Sequence, residues 1–319
     1  MVGIRDASFV NPLQNPIFYD VAWRFLWVFV AGFLLILILN KFRLKGLMQK
    51  ELGKRYLSWL VIGVLFMGFV FLGGLPALIL SFVLMVLAIS EIGMMAKLPK
   101  INVWAMYILA ALSVITASYF EAKFYMLPIL YFTILTTLTI RRNDKKGFFA
   151  LAVSLYTSIW IIFFLSHFIL LGHLNNSLDN TKALLLMIGF AVPLADVGAY
   201  VFGKLFSKSF LVKYKIADKI SPHKIWAGMI GDFVGAGIGI WIMSFALSSY
   251  FSFWQMFILA IAIGIFSVVG DMNESLLKRY FNVKDSGKLI PGHGGILDRI
   301  DSVLRVVVVV YYLSVLFLG

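Results

Sequence analysis

The sequence contains no cysteine. Disulfides, thiolate metal sites and a cysteine nucleophile are therefore excluded. Charge is also scarce. Asp, Glu, Lys and Arg make up 13% of the 319 residues, against about a quarter in soluble domains. Acid is the scarcer sign, with 15 Asp and Glu against 28 Lys and Arg. The start of the chain lacks an apolar run: Asp6, Asn11, Pro12, Asn15, Pro16 and Asp20 interrupt it. A cleaved signal peptide is not expected there. What replaces charge is apolar surface, 61% of all positions. A soluble fold of this length cannot hide so much, so lipid must solvate most of it.

A bilayer core of ~30 Å needs roughly 20 apolar residues per helix. Candidate spans fall at 21–39, 57–72, 75–92, 101–118, 124–140, 148–171, 183–203, 225–249, 253–270 and 302–318. The expected fold is an all-α polytopic bundle of about nine or ten transmembrane helices. Gly73, Gly74 and Pro76 suit a tight turn between the second and third spans, although a re-entrant pair is an alternative. Gly231, Gly235, Gly237 and Gly239 form a small-residue stripe suited to close helix packing. No repeat or low-complexity segment stands out.

With ten spans, the basic stretches 40–56, 93–100, 141–147, 204–224 and 271–305 all fall on one side. Only Arg5, Arg24, Lys123 and Lys182 remain for the other. The positive-inside rule makes the basic side cytoplasmic and places both termini outside. The net charge of +13 is thus mainly topogenic and calls for no nucleic-acid partner.

The segment 271–301, DMNESLLKRYFNVKDSGKLIPGHGGILDRID, does not read as a simple connector. If helix continues past Asp271, then Glu274, Ser275 and Lys278 share its face. Gly287, Pro291, Gly292, Gly294 and Gly295 then break the helix. Such a turn lets backbone N–H groups approach phosphate oxygens. Asp298 and Asp301 follow at the next helix start. Two acidic helix ends around a Gly-rich basic loop fit a divalent cation and a polyphosphate, and oxygen ligands without cysteine favour Mg²⁺. His293 is open between phosphate donor, proton shuttle and a structural bond in the turn.

A second segment, 190–231, holds Asp196 inside an apolar span, where a carboxylate is costly and functional by default. A packing pair with Tyr or Lys is the alternative. Downstream, Ser221 is read as an N-cap, Pro222 as the first helical residue and Lys224 as part of an anion site. Capping alone is equally open. Glu91 is read as a helix-end residue. His167 and His173 are read as interfacial, on the side away from this chemistry.

Residues 275–301 resemble the signature of the phosphatidate cytidylyltransferases. The pattern reads Ser275, Lys278-Arg279, Lys284-Asp285-Ser286-Gly287, Pro291-Gly292-His293-Gly294-Gly295 and Asp298-Arg299-Ile300-Asp301. The resemblance extends to Gly270-Asp271, Glu274, Asp196, Gly198, Ala199, Tyr200, Phe202-Gly203-Lys204, Ser221-Pro222, Lys224, Trp226 and Gly228. It covers about 190–305, so 183–319 is the expected catalytic region and 1–182 an N-terminal set of helices. The family carries out cytidylyl transfer from CTP to phosphatidate, giving CDP-diacylglycerol and pyrophosphate in phospholipid biosynthesis.

The resemblance implies catalytic roles for Asp271, Asp298, Lys278 and His293, and a metal centre of Asp271 and Asp298 with Mg²⁺ and, in some cases, K⁺. It implies substrate contacts from Asp196, Ser221, Lys224, Ser275, Arg279, Lys284, Asp285, Gly294, Gly295, Arg299 and Asp301. It also implies a bacterial inner membrane, a cytoplasmic site and room for a homodimer that no residue specifies. The chain departs from the family pattern at Val197, where Thr is common, and at His223, Ile225 and Ala227, which replace Lys, Thr and Glu. Three rivals remain: a CTP-dependent polyprenol or phytol kinase, a transporter or flippase, and a catalytically inactive paralogue with a scaffold role. The second lacks the inverted repeat that usually accompanies transport.

Overall fold

The structure, a computed structural model, describes residues 11–39, 51–140, 145–174, 181–206, 215–217, 221–289 and 294–318. Nearly all of them are helical. The helices are α1 (Phe18–Leu39), α2 (Glu51–Leu72), α3 (Gly74–Met95), α4 (Lys100–Tyr119), the short α5 (Glu121–Phe124), α6 (Leu127–Thr139) and α7 (Lys145–Thr157). A π-helical segment, Ser158–Phe163, joins α7 to α8 (Phe164–His173). Then come α9 (Thr181–Leu205), α10 (Trp226–Leu247), α11 (Phe253–Tyr280) and α12 (Leu297–Leu318).

Eight of the described helical rods are long and apolar enough to cross a bilayer, counting α7 to α8 as one. Two shorter apolar helices, Tyr56–Leu72 and Leu127–Thr139, stand at the other two expected spans. The chain is therefore a polytopic all-helical membrane protein. The expected turn is present at Gly73 and Gly74, with φ of +59° and +44°. There the Lys182 ammonium donates to the Phe71 carbonyl at 2.8 Å and satisfies an end of α2.

Hydropathy misplaced three boundaries: α2 begins six residues before 57, and the other two lie at the site. Helix α11 continues ten residues past the expected end at 270, and α12 begins five before 302. Asp271, Glu274 and Lys278 keep helical spacing on α11, as do Asp298, Asp301 and Arg305 on α12. Lys278 of α11 reaches Asp298 of α12 at 2.6 Å, so the helices outlast the apolar runs. A second correction concerns Ser221 and Pro222. They lie in strand β2 (Ser221–Ile225), which pairs antiparallel with β1 (Lys215–Ala217). Helix α10 starts only at Trp226, and its N-cap residue, Ile225, forms no side-chain cap. His167 is a third: it is fully buried. Its Nδ1 donates to the Phe163 carbonyl at 2.9 Å, and Nε2 faces the Tyr312 hydroxyl at 3.4 Å.

Glycine sets the distance between α9 and α10. A Cβ added at Gly231 would collide with the backbone of Gly198, one at Gly235 with that of Leu194, and one at Gly239 with that of Ala191. Gly237, also in the stripe, has nothing within 4 Å of that position. Gly231→Ala is expected to cost about 1–3 kcal/mol through overpacking and to lower the melting temperature in detergent, whereas Gly237→Ala leaves it unchanged. Equal melting temperatures for the two variants would contradict this packing.

A candidate active site between α3, α10, α11 and α12

Helices α11 and α12 cross where Gly270 meets backbone. A Cβ there would lie 2.6 Å from the Asp301 carbonyl oxygen and 2.7 Å from Ser302 Cα. The Ser302 hydroxyl ties the same crossing by donating to the Ser267 carbonyl at 3.1 Å. This contact brings Asp271 and Glu274 of α11 to Asp301 of α12. Carboxylate oxygens of these three residues lie within 4.8 Å of one another. Glu274 is 1% exposed and Asp301 7%, so like charges gather out of water. Glu274 Oε2 pairs with Lys278, but Oε1 is buried with no hydrogen-bond partner.

Asp298, the expected second metal residue, is placed differently. Its Oδ1 accepts from Lys278 Nζ at 2.6 Å. Its Oδ2 accepts from the Ser286 amide at 3.0 Å, the Ser286 hydroxyl at 2.8 Å and the Gly295 amide at 2.7 Å. These bonds occupy the carboxylate and fasten the Gly-rich turn to the start of α12. Gly294 has φ +83°, and a side chain there would strike the Asp298 carboxylate. In this geometry the partners of Asp271 are Glu274 and Asp301 instead.

A residue passed over as a helix end proves central to the turn. Glu91 of α3 is 4% exposed. Its Oε1 accepts from the Ile296 amide at 2.7 Å and Oε2 from the Leu297 amide at 3.0 Å, and the Ser286 hydroxyl, 2.8 Å from both this Oε2 and Asp298 Oδ2, shares its single proton between them. A carboxylate on unpaired amides at a helix N-terminus is favoured by both hydrogen bonding and the helix dipole. The signal was a lone acid in the apolar run 75–92, the same argument that singled out Asp196.

On the α10 side, Lys224 Nζ pairs with Asp271 Oδ2 at 3.0 Å. Burial disfavours the charged ammonium, but Asp271, Asp196 and Asp232 outweigh it and hold the Lys224 pKa above the ordinary lysine value. Asp196, exposed on α9, lies in electrostatic range of Lys224, Asp271 and Arg299. Asp232 was not foreseen. It is 1% exposed, and neither of its oxygens has a hydrogen-bond partner. Ser275 is half-buried on α11, Gly294 and Gly295 lie in the turn, and Arg279, Lys284, Asp285 and Arg299 are exposed around it. His293 lies outside the described residues, and Ser221 is placed only through its backbone in β2.

The fold and site define a membrane-embedded enzyme with a buried carboxylate group beside a Gly-rich basic turn. The Cytidylyltransferase family model matches residues 53–317, and the chain belongs to that family. A phosphatidate cytidylyltransferase of Bacillus subtilis strain 168 is 30% identical over 281 residues, covering 84% of this chain and 99% of the relative. One of Staphylococcus haemolyticus is 29% identical over 267 residues, covering 79% and 95%. One of Synechocystis is 40% identical over 146 residues, covering 43% of this chain and 45% of the relative.

Proposed function

We propose that the chain transfers the cytidylyl group of CTP to phosphatidate, giving CDP-diacylglycerol and pyrophosphate. The observation that carries the reading is the Asp271, Glu274 and Asp301 group lying against the Gly-rich turn that Asp298 and Glu91 hold. A phosphatidate phosphate oxygen attacks the α-phosphorus, a new P–O bond forms, and the bond to the pyrophosphate oxygen breaks.

Three hard oxygen donors with an unpartnered Glu274 Oε1 fit Mg²⁺. Asp271, Glu274 and Asp301 would hold the ion. When bound it would offset the charge on the phosphates and on the departing pyrophosphate. The protein's own contribution is positioning. Lys224, Lys278 and Arg299 place cations around the carboxylates, and Arg279 and Lys284 extend that field at the surface. Asp196 and Asp232 keep Lys224 charged and held inward.

The basic bias of the loops supports a site at the cytoplasmic face of a bacterial inner membrane, where CTP is available. The test is purified protein in detergent with CTP, Mg²⁺ and phosphatidate. Pyrophosphate release that needs all three supports the reading. Release of CDP upon supply of a lipid alcohol would replace it with kinase chemistry.

A further inference from the structure

A second polar group lies beside the carboxylates, between α7, α11 and α12. Arg305 stands one turn beyond Asp301, eight residues into α12 from Leu297. At 1.5 Å per residue that is about 12 Å along the helix. An arginine within a membrane helix is costly and functional by default. Asn273 follows Asp271 by two residues on α11. Tyr156 sits at the end of α7, where the rod passes into the π-helical segment, and such segments often occur at functional sites.

These three side chains share one locality. The Asn273 amide is directed at the Tyr156 hydroxyl, and Arg305 acts on that hydroxyl electrostatically. One donor there lacks an acceptor: Arg305 Nε is sealed from solvent and completes no hydrogen bond. Tyr156 is 37% exposed on the outside of the bundle, which in a membrane helix means lipid. Nearer the Gly-rich turn, the Phe149 ring stacks on Tyr280 with centroids 6.3 Å apart and holds α7 beside α11.

A guanidinium with an unpaired buried N–H calls for an anion with several acceptor oxygens. The guanidinium geometry suits phosphate in particular. We propose that Arg305, Asn273 and Tyr156 form a lipid-side phosphate site. It receives the phosphomonoester head group of the acceptor as it enters laterally from the bilayer, one turn short of Asp301. The acyl chains stay in lipid. This assignment rests on phosphatidate being the acceptor.

The test separates lipid from nucleotide. In mixed micelles, Arg305→Gln is expected to raise the KM for phosphatidate about tenfold or more while the KM for CTP stays within about twofold. Tyr156→Phe, which removes one hydroxyl and keeps the ring, is expected to raise the phosphatidate KM about threefold, and it keeps the test alive should Arg305→Gln fail to fold. An unchanged phosphatidate KM, or the two KM values rising together, would overturn the site. Lipid retention in nanodiscs provides a readout without turnover. Wild-type protein is expected to retain phosphatidate over diacylglycerol and phosphatidylglycerol, and Arg305→Gln to lose that preference. Should the wild type fail to turn phosphatidate over yet show this preference, the reaction assigned above falls and the phosphate site stands. Equal retention of phosphatidate and diacylglycerol removes the site, and equal retention of phosphatidylglycerol removes its selectivity for a monoester.

Discussion

Asp301→Asn and Glu274→Gln are each expected to lower turnover by roughly 10²–10³-fold or more without unfolding the protein. Both substitutions keep size and remove one anionic donor from a group whose oxygens lie within 4.8 Å of one another. The three carboxylates repel, and two of them, Glu274 and Asp301, are nearly sealed from water. Removing a charge therefore relieves strain in the resting protein, and melting temperatures should hold or rise. This opposition of activity and stability marks a functional cluster. Asp271→Asn differs in one respect: it takes the paired carboxylate from Lys224, whereas Lys278 keeps Asp298 in Glu274→Gln. The Asp271 variant is expected to lose activity and some stability together. Kinetics and melting curves on the three variants check this, and near-normal turnover in Asp301→Asn or Glu274→Gln would contradict the site.

Glu91→Ala is expected to be the most destabilising single change at the Gly-rich turn. It deprives the Ile296 and Leu297 amides of their acceptor and takes one of two acceptors from the Ser286 hydroxyl. A buried donor left unpaired costs about 1–3 kcal/mol, so a loss of about 3–5 kcal/mol follows even with some relaxation. Glu91→Gln keeps one carbonyl acceptor but turns an amide donor toward other donors, and should fall between. Glu91→Asp preserves the charge at shorter reach, so it is expected to restore part of the activity. Melting temperature and specific activity in detergent measure all three. An unchanged melting temperature for Glu91→Ala would show that α3 does not hold the turn.

The contrast between Glu91 and Asp271 shows what the sequence made legible. Asp271, Glu274 and Asp301 sit in a short stretch whose helical spacing and glycine break could be read directly. Glu91 reaches the same turn from 195 residues away, and no local pattern carries that pairing. The spans were legible because apolar length is a strong constraint in lipid. Their ends were not, because α11 and α12 extend on paired charges that hydropathy counts as loop. Ser221-Pro222 matched the start of a helix, but the ribbon pairing of Ala217 with Ser221 overrode that local preference. Asp298 and Asp301 were both visible as acids three residues apart. Which of them faces the metal-type group depends on a crossing at Gly270 that spacing alone does not reveal.

The most direct test of the central claim follows the phosphorus. Protein in detergent is given phosphatidate, Mg²⁺ and CTP labelled either at the α- or at the γ-phosphate, and the lipid fraction is counted. The account predicts that α-label enters the lipid while γ-label leaves in pyrophosphate. Label entering the lipid from the γ-position, or no lipid label from either, would contradict it.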